Sequence, residues 1–425
     1  MIKGQNIVVG ITGGIAAYKA VELVRLLRKR QAEVYVVMTD HARQFVTPLT
    51  FQTFSGHPVY TDMFAPYRDE ISHIALADRA DLLIIAPATA NIIAKLANGL
   101  ADDLLTTVVL ATSAPVLIAP AMNVKMWENP ATRHNLEKLR ERGFRFADPV
   151  PGELACGYEG QGRMAEPADI LEEAIPFITP KDLQGERILV TAGPTEEPLD
   201  PVRMLTNRSS GKMGYALARA AQRRGAEVLL VTGPTGLKPP ACVQTVNVTT
   251  ALEMYKVVML HAKASTIIIK TAAVSDYRPK KSFGEKMKKI RKTLSLELER
   301  NPDILYQLGR NKGNRFLVGF AAETKNLISQ AKSKLDRKNL DLIVVNSALQ
   351  KQGGFGSDSN EATLIDFEGR INSLPLMDKD ELADKILDKV KELKAEQASM
   401  PRRSKTPPPG DEKKKEDGED QSAES

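Results

Sequence analysis

Twice along this 425-residue chain a run of apolar, largely β-branched residues ends in glycine and gives way to a helical pattern. The first is "NIVVGITGG", which runs into "AAYKAVELVRLLRKR"; the second begins with "RILVTAGPT" at residue 187. A strand that is apolar at every position must be covered on both faces, as a parallel strand flanked by crossover helices is. "AEVYVVMT", "DLLIIAPAT" and "APVLIAP" supply further strands of this kind in the first half. The pattern predicts an α/β chain of two doubly wound, Rossmann-like parallel-sheet domains. Polar, turn-rich "TPKDLQGER" near residue 180 divides them, so the expected domains are 1–180 and 187–395. "LRKRQAEVYVVMT" and "AQRRGAEVLLVTG" echo each other, as two units of this type do without being duplicates. Proline and mixed charge predict a disordered tail over 396–425.

A net charge of +6 and a pI near 9.0 point to anionic ligands. They do not indicate nucleic acid: aromatics are only 5%, too sparse for an interleaved stacking platform. Cys156 and Cys242 lie far apart and in no CxxC pair, which argues against a disulfide framework or a thiolate zinc site. The N-terminus is unlike a signal peptide, and no apolar run reaches the ~18 residues of a membrane span. The cytosol is the expected compartment.

Several motifs carry chemistry. "GITGGIAAYK" reads as a phosphate loop at a helix start, where Gly13, Gly14 and Ile15 would let the backbone approach an anion. It lacks the GxGxxG spacing, and Thr39, not an acidic residue, comes first after the second strand, so a mononucleotide such as FMN fits better than a dinucleotide. Thr89 and Asn91 follow a strand at the edge where doubly wound sheets bind ligands. His73, which the pattern places just before a helix entering that edge, can exchange a proton near neutral pH. In "PAMNVKMW", Asn123 stands between Met122 and Met126, an amide in an apolar setting that needs a partner.

Taken in order, "GITGGIAAYK", "SHIALA", "PATANIIAKLANGLADDLL", "PAMNVKMW" and "LACGYEGQGRM" resemble the flavin-dependent cysteine decarboxylases. More narrowly, they resemble the flavodoxin-like half of the bifunctional phosphopantothenoylcysteine decarboxylase/phosphopantothenate–cysteine ligases. The resemblance covers residues 1 to about 395. It implies FMN held by Gly13, Gly14, Ile15, Thr39, Thr89 and Asn91, and Asn123 contacting the carboxylate of the cysteine moiety beside Met122. It implies that His73 positions or deprotonates the reacting group. Flavin oxidation of the thiol to a thioaldehyde then supplies the electron sink for loss of CO2. Cys156, in the glycine-bounded flap "ACGYEGQG", would donate the proton when the enethiol is reduced to 4′-phosphopantetheine.

The second half is not a Walker A protein, since Met213 follows Lys212 in "SSGKM". The resemblance instead implies a ligase that joins 4′-phosphopantothenate to cysteine through an acyl-cytidylate made from CTP. Asn207 matches the residue that handles this intermediate. Lys286, Lys288 and Lys289 stand as the basic loop "KMKK", and Lys286 matches the residue linked to turnover. The implied CTP contacts are Arg203, Thr271 to Ala273 with Ala272 between them, Asp276, Pro302, Asp303, Ile304, Leu305, Phe320, Lys334 and Lys338. Mg2+ is expected with the triphosphate, with no ligand set visible in the sequence. Flavin-domain trimers joined by ligase-domain dimers, up to a dodecamer, are the implied assembly. Two other classes fit less well. A non-catalytic flavin-binding regulator could dispense with His73 and Cys156, and a decarboxylase of peptide C-terminal cysteines has no use for residues 187–395.

Overall fold

A computed structural model describes residues 2–64, 72–153, 159–287, 295–323, 327–347 and 356–399, and divides into two compact units, Met1–Pro180 and Lys181–Ser425. In the first unit, β1 (Asn6–Ile11), β2 (Glu33–Met38), β3 (Val59–Tyr60), β4 (Leu82–Ala88), β5 (Val116–Pro120) and β6 (Arg145–Phe146) form one sheet. Its order is β3-β2-β1-β4-β5-β6 and every pair is parallel. The helices follow as α1 (Ala17–Lys29), α2 (Pro48–Ser55), α3 (Ser72–Arg79), α4 (Ala90–Asn98), α5 (Leu104–Ala111), α6 (Val124–Glu128), α7 (Pro130–Glu141) and α8 (Pro167–Ile178). Ile7, Val9 and Ile11 pack with α1, α2 and α8, while Val8 points the other way into the cluster of α3, α4, α5 and α7. Two-sided burial is therefore why β1 reads as an unbroken apolar run. An antiparallel hairpin, β7 (Val150–Glu153) with β8 (Glu159–Arg163), precedes α8.

The second unit is built on β9 (Arg187–Ala192), with a small hairpin of β10 (Glu196–Pro198) and β11 (Met204–Thr206) leading to α9 (Lys212–Arg223). Then come β12 (Glu227–Thr232), β13 (Gln244–Asn247), α10 (Ala251–Ala262) and β14 (Ile267–Lys270). A second hairpin, β15 (Tyr277–Pro279) with β16 (Leu298–Arg300), brackets the basic loop and is followed by α11 (Ile304–Arg310). β17 (Phe316–Glu323), α12 (Leu327–Arg337), β18 (Leu342–Ser347), β19 (Ser359–Asp366), β20 (Ile371–Asp378) and α13 (Lys379–Ser399) complete it. The sheet order is β13-β12-β9-β14-β17-β18-β19-β20.

This unit departs from the expected all-parallel sheet at one edge, where β18, β19 and β20 pair antiparallel. The turn "DFEGR" explains the β19–β20 hairpin. Asp366 accepts from the backbone N–H groups of Glu368 and Arg370, both at 3.0 Å, and Gly369 takes φ +82°. The tail also starts later than expected. α13 continues to Ser399 because Glu396 pairs with Arg370 at 2.6 Å and Gln397 donates to Asp341 at 2.7 Å; the rest of the tail lies outside the described residues. Leu382, Ile386, Leu387, Val390 and Leu393 of α13 are fully buried in the cluster that holds α9 and β9. No described helix is long and apolar enough to cross a membrane.

Both sheets reverse their winding next to the first strand, between β1 and β4 and between β9 and β14. At such a switch point the two flanking loops part and leave a crevice at the C-terminal strand ends.

Candidate functional site

A cavity of about 1110 Å3 opens at the first crevice, beyond the roughly 300–1,000 Å3 usual for small-molecule pockets. Its wall gathers Gly13, Gly14, Ile15, Thr39, Thr89, Asn91, Met122, Asn123 and Met126, which the sequence had singled out in separate stretches. Thr12, which sequence reasoning passed over, ties the crevice together. Its buried hydroxyl donates to Pro87 O at 2.7 Å and accepts from Thr89 N at 3.2 Å, joining the loops after β1 and β4.

The start of α1 suits an oxyanion. Ala16 occupies the N-cap with no side-chain cap, no acid stands in the first turn, and the N–H groups of Ile15 and Ala16 have no partner among the described residues. Unsatisfied donors at the positive end of a thirteen-residue helix favour a phosphate. Gly13 has a packing reason as well: a Cβ there would come within 2.3 Å of the Cβ of His41. His41, on the short turn Asp40–Gln44, thereby reaches the cavity wall, a contribution invisible in sequence. The cations Lys19 and Arg163 in the wall both bind Glu166, at 2.9 and 2.5 Å, and the Lys19 bond, ahead of Arg163, holds that carboxyl below its ordinary value. Main-chain donors are thus what the crevice offers a phosphate.

Two side chains expected to serve a ligand also serve the chain. Asn123 is the N-cap of α6, its Oδ1 accepting from Lys125 N at 2.9 Å. Thr89 caps α4, accepting from Ile92 N at 3.4 Å. Asx and Thr caps favour β-region backbone at the cap, so these residues fix how the loop enters the helix. Trp127 lies buried in the same short helix, with the Arg133 guanidinium 4.9 Å from its ring centre.

The hairpin β7–β8 rests directly on this segment. Met122 N donates to Gly162 O at 3.0 Å, and a Cβ at Gly162 would lie 2.3 Å from Met122 O. Gly162→Ala should therefore push β8 off the "PAMN" segment. We expect a cost of about 1–3 kcal/mol, read as a thermal midpoint several degrees lower together with reduced flavin retention. An unchanged midpoint and flavin content would show that the contact yields easily. Cys156 lies outside the described residues. His73 is the second residue of α3, not a residue ahead of the helix, and it does not line the cavity of its own chain. Its Nδ1 is buried without a hydrogen-bond partner among the described residues.

In the second unit the loop after β9 and the loop after β14 meet. Asn207 Nδ2 donates to Ala273 O at 2.9 Å, Ala272 N donates to Thr191 Oγ1 at 3.2 Å, and Thr271 Oγ1 donates to Thr191 O. Asn301, first residue of the "NPDIL" stretch that the resemblance implicates, links the next segment, donating to Ser275 O at 2.9 Å and accepting from Arg278 at 2.8 Å. Asp303 caps α11 and pairs with Lys338 at 2.8 Å. Burial alone would raise its carboxyl, but Lys338 outweighs that and the net shift is downward.

Other expected contacts are placed differently. Ile304, Leu305 and Ala272 are buried, so only their backbone can face a ligand, beside the half-buried Pro302. Phe320 packs on the α9 and α13 face of the sheet, while Lys334 and Lys338 belong to the α12 side. Asp276 and Lys286 are exposed, and Arg203 is bound to Asp200; Lys288 and Lys289 lie outside the described residues.

The residue that sequence reasoning overlooked here is Lys270, the last of β14. It is paired in register with Thr191 and Gly319, and its side chain forms no ion pair or hydrogen bond among the described residues. Burial first, and then Lys338 and Lys334, bring its ammonium down to about 8, against the opposing pull of Asp303 and Asp276. Among the described residues no three His, Cys, Asp or Glu side chains gather as a metal site.

The profile of the family described as "Flavoprotein" matches residues 1–179, and that of the "DNA/pantothenate metabolism flavoprotein C-terminal domain" matches 183–393. The Coenzyme A biosynthesis bifunctional protein CoaBC of Bacillus subtilis (strain 168) is 48% identical over 395 residues, 92% of this chain and 97% of that protein. Its counterpart in Vibrio cholerae serotype O1 is 49% identical over 395 residues, 92% of this chain and 99% of that protein. A crystal structure of the C-terminal domain of a CoaBC shares 44% identity, covering 51% of this chain and 99% of that one, with a TM-score of 0.44. With near half of its residues shared along almost the whole length of these proteins, the chain belongs to the CoaBC family of bifunctional coenzyme A biosynthesis enzymes.

Proposed function

We propose that the first unit is an FMN-dependent phosphopantothenoylcysteine decarboxylase and the second a CTP-dependent phosphopantothenate–cysteine ligase. The observation that carries the first half is the β1–β4 cavity, where an open helix start, the "PAMN" segment and the base of the flap hairpin share one wall. The FMN phosphate would sit on the N–H groups at the start of α1, with Thr39, Thr89 and Asn91 along the flavin. Bound there, FMN supplies the two-electron redox chemistry that loss of CO2 from this carboxylate requires. Asn123 and Met122 orient the cysteine end of the substrate, and Cys156 donates the last proton. His73, away from its own cavity, would act on the site of a neighbouring copy in a trimer, which gives its unpartnered Nδ1 a use.

In the second unit, the loops after β9 and β14 would hold CTP at the β9–β14 crevice, with Mg2+ entering on the triphosphate. The carboxylate of 4′-phosphopantothenate attacks the α-phosphorus and releases pyrophosphate; the cysteine amine then attacks the acyl carbon and releases CMP. Asn207 is positioned for the acyl-cytidylate, and Lys286 supplies positive charge where two anions must meet. The decisive experiment incubates the purified, FMN-reconstituted protein with phosphopantothenate, cysteine and CTP and identifies products by mass. Phosphopantetheine, pyrophosphate and CMP are expected. A colourless protein that forms neither the amide nor the decarboxylated product contradicts the proposal.

Lys270 gives this reading a pH signature. A phosphate bound near its ammonium favours the charged form, so nucleotide binding should take up a proton above about pH 8. Calorimetric CTP titrations at pH 8.5 should then depend on the ionisation enthalpy of the buffer, and Lys270→Met should lose that dependence. The stability sign follows separately. The folded state releases this proton at about 8 and the unfolded chain at the ordinary 10.5, so this group's contribution rises with pH across that window. Buffer-independent heats in the parent enzyme would place Lys270 outside the nucleotide site.

A further inference from the structure

The turn between β10 and β11 grips the basic loop by its backbone. Asp200 is 4% exposed and receives five N–H donors. Its Oδ1 accepts from Val202 N at 2.9 Å and Arg203 N at 2.8 Å, which closes the turn on itself. Its Oδ2 accepts from Arg203 Nε at 3.0 Å, Arg203 Nη2 at 2.6 Å and, from 87 residues away, Met287 N at 3.1 Å. Arg203 Nη2 also donates to Met287 O at 2.9 Å. Both polar groups of the Met287 peptide positions are thus held by one ion pair, a buried carboxylate with an exposed guanidinium. A second tie lies four residues earlier, where Phe283 N donates to Leu199 O at 2.9 Å.

The held residue follows Lys286 directly. From Lys280 to Lys292 the chain carries seven cations and a single carboxylate, so the loop repels itself and has little reason to settle alone. A carboxylate with five donors has no lone pair left for a metal ion or for substrate. Arg203 gives Nε and Nη2 to the same oxygen of Asp200 and Nη2 also to the loop.

We infer that Asp200 and Arg203 are positioning residues of the ligase half: together they latch the "KMKK" loop at Met287 and so place Lys286 for the acyl-transfer chemistry. The inference rests on the ligase reading of that loop and adds how the loop is held before nucleotide arrives. Arg203 thereby acts through the loop.

Asp200→Asn leaves one acceptor oxygen where the turn and the loop need two, and removes the charge that orients Arg203. Met287→Pro removes the loop N–H, with φ fixed there and Lys286 restricted before it, and leaves the buried carboxylate untouched, which keeps the test open should Asp200→Asn fold poorly. Loss of a charge-assisted bond of this kind corresponds to about tenfold or more. Each variant, in the full-length enzyme without nucleotide, should be cut by trypsin between residues 286 and 292 about tenfold faster than the parent. Each should also show ligase kcat lowered about tenfold, with CO2 release from phosphopantothenoylcysteine as the folding control. The double variant should be no slower than the worse single one, because both changes break the same link. Multiplying losses in the double variant, or parent-like cleavage in both singles, overturns the latch. The cleavage assay needs no ligase activity. A Lys286→Gln enzyme with normal turnover would instead remove the ligase reading of the loop and leave the latch standing as structure.

Discussion

His73→Asn is expected to abolish CO2 release, by a thousandfold or more, while ligation of phosphopantothenate to cysteine continues at the parent rate. An imidazole is a side chain suited to proton exchange near neutral pH, and Asn keeps a polar group at this position without that capacity. A factor of 10²–10⁴ is the usual contribution of a placed acid or base. The ligase residues belong to a different compact unit, so they should not feel the change. Because His73 does not line the cavity of its own chain, a second result is expected. Mixing His73→Asn subunits with subunits carrying a disabling change at Asn123 should restore part of the activity, since some sites then receive both intact residues. Equal loss of ligation in a folded variant would contradict the division of labour, and the absence of rescue would place His73 in its own subunit's site.

Lys286→Gln is expected to give the converse enzyme, with ligation reduced about a hundredfold and decarboxylation intact. One fixed charge aimed at a developing anion typically contributes this much. Lys286 is exposed before substrate arrives, and an exposed lysine by itself stabilises nothing measurable, so thermal stability should stay within a degree or so of the parent. The measurement is pyrophosphate release with saturating CTP, compared with CO2 release on the same preparation. Full ligase turnover would return the basic loop to a solvated surface.

The architecture was legible because parallel strands covered on both faces leave a strong trace. Val8 and Leu83 point to one side and Ile7 and Ile84 to the other, so β1 and β4 read as continuous apolar runs, and the glycines after β1 marked the loop that follows. The antiparallel pairing at β19 and β20 was not legible, since pairing direction is decided by the short turn at Gly369 and not by hydrophobic pattern.

For the site, residue type pointed to the right loops but could not assign partners. Asn123 suggested a waiting amide, and half of the answer is local: it caps the next helix. Arg203 stood as a substrate or CTP contact by resemblance alone, and its partners within the chain, a carboxylate three residues earlier and a loop 84 residues later, left no trace in the pattern. Lys270 carried no signal because a lysine at a strand end looks like surface; burial and the charges of Lys338, Asp303, Asp276 and Lys334 gather around it only in the fold. Pairings across such separations depend on which strands lie side by side, and that information enters only with the folded sheet.

The burial of α13 has a consequence for how the chain is made. The first unit contains all of its own core by Pro180 and can fold as soon as that stretch leaves the ribosome. The second cannot. One face of β9 and α9 is covered by Leu382, Ile386, Leu387, Val390 and Leu393, which end with the last buried apolar residue among the described residues. Until they emerge, an apolar surface more than a hundred and fifty residues older stays open to solvent. During synthesis, then, the core of the first unit is closed while that of the second still exposes apolar surface, and a ribosome that stalls before Leu382 releases a first unit with its core complete joined to an aggregation-prone one.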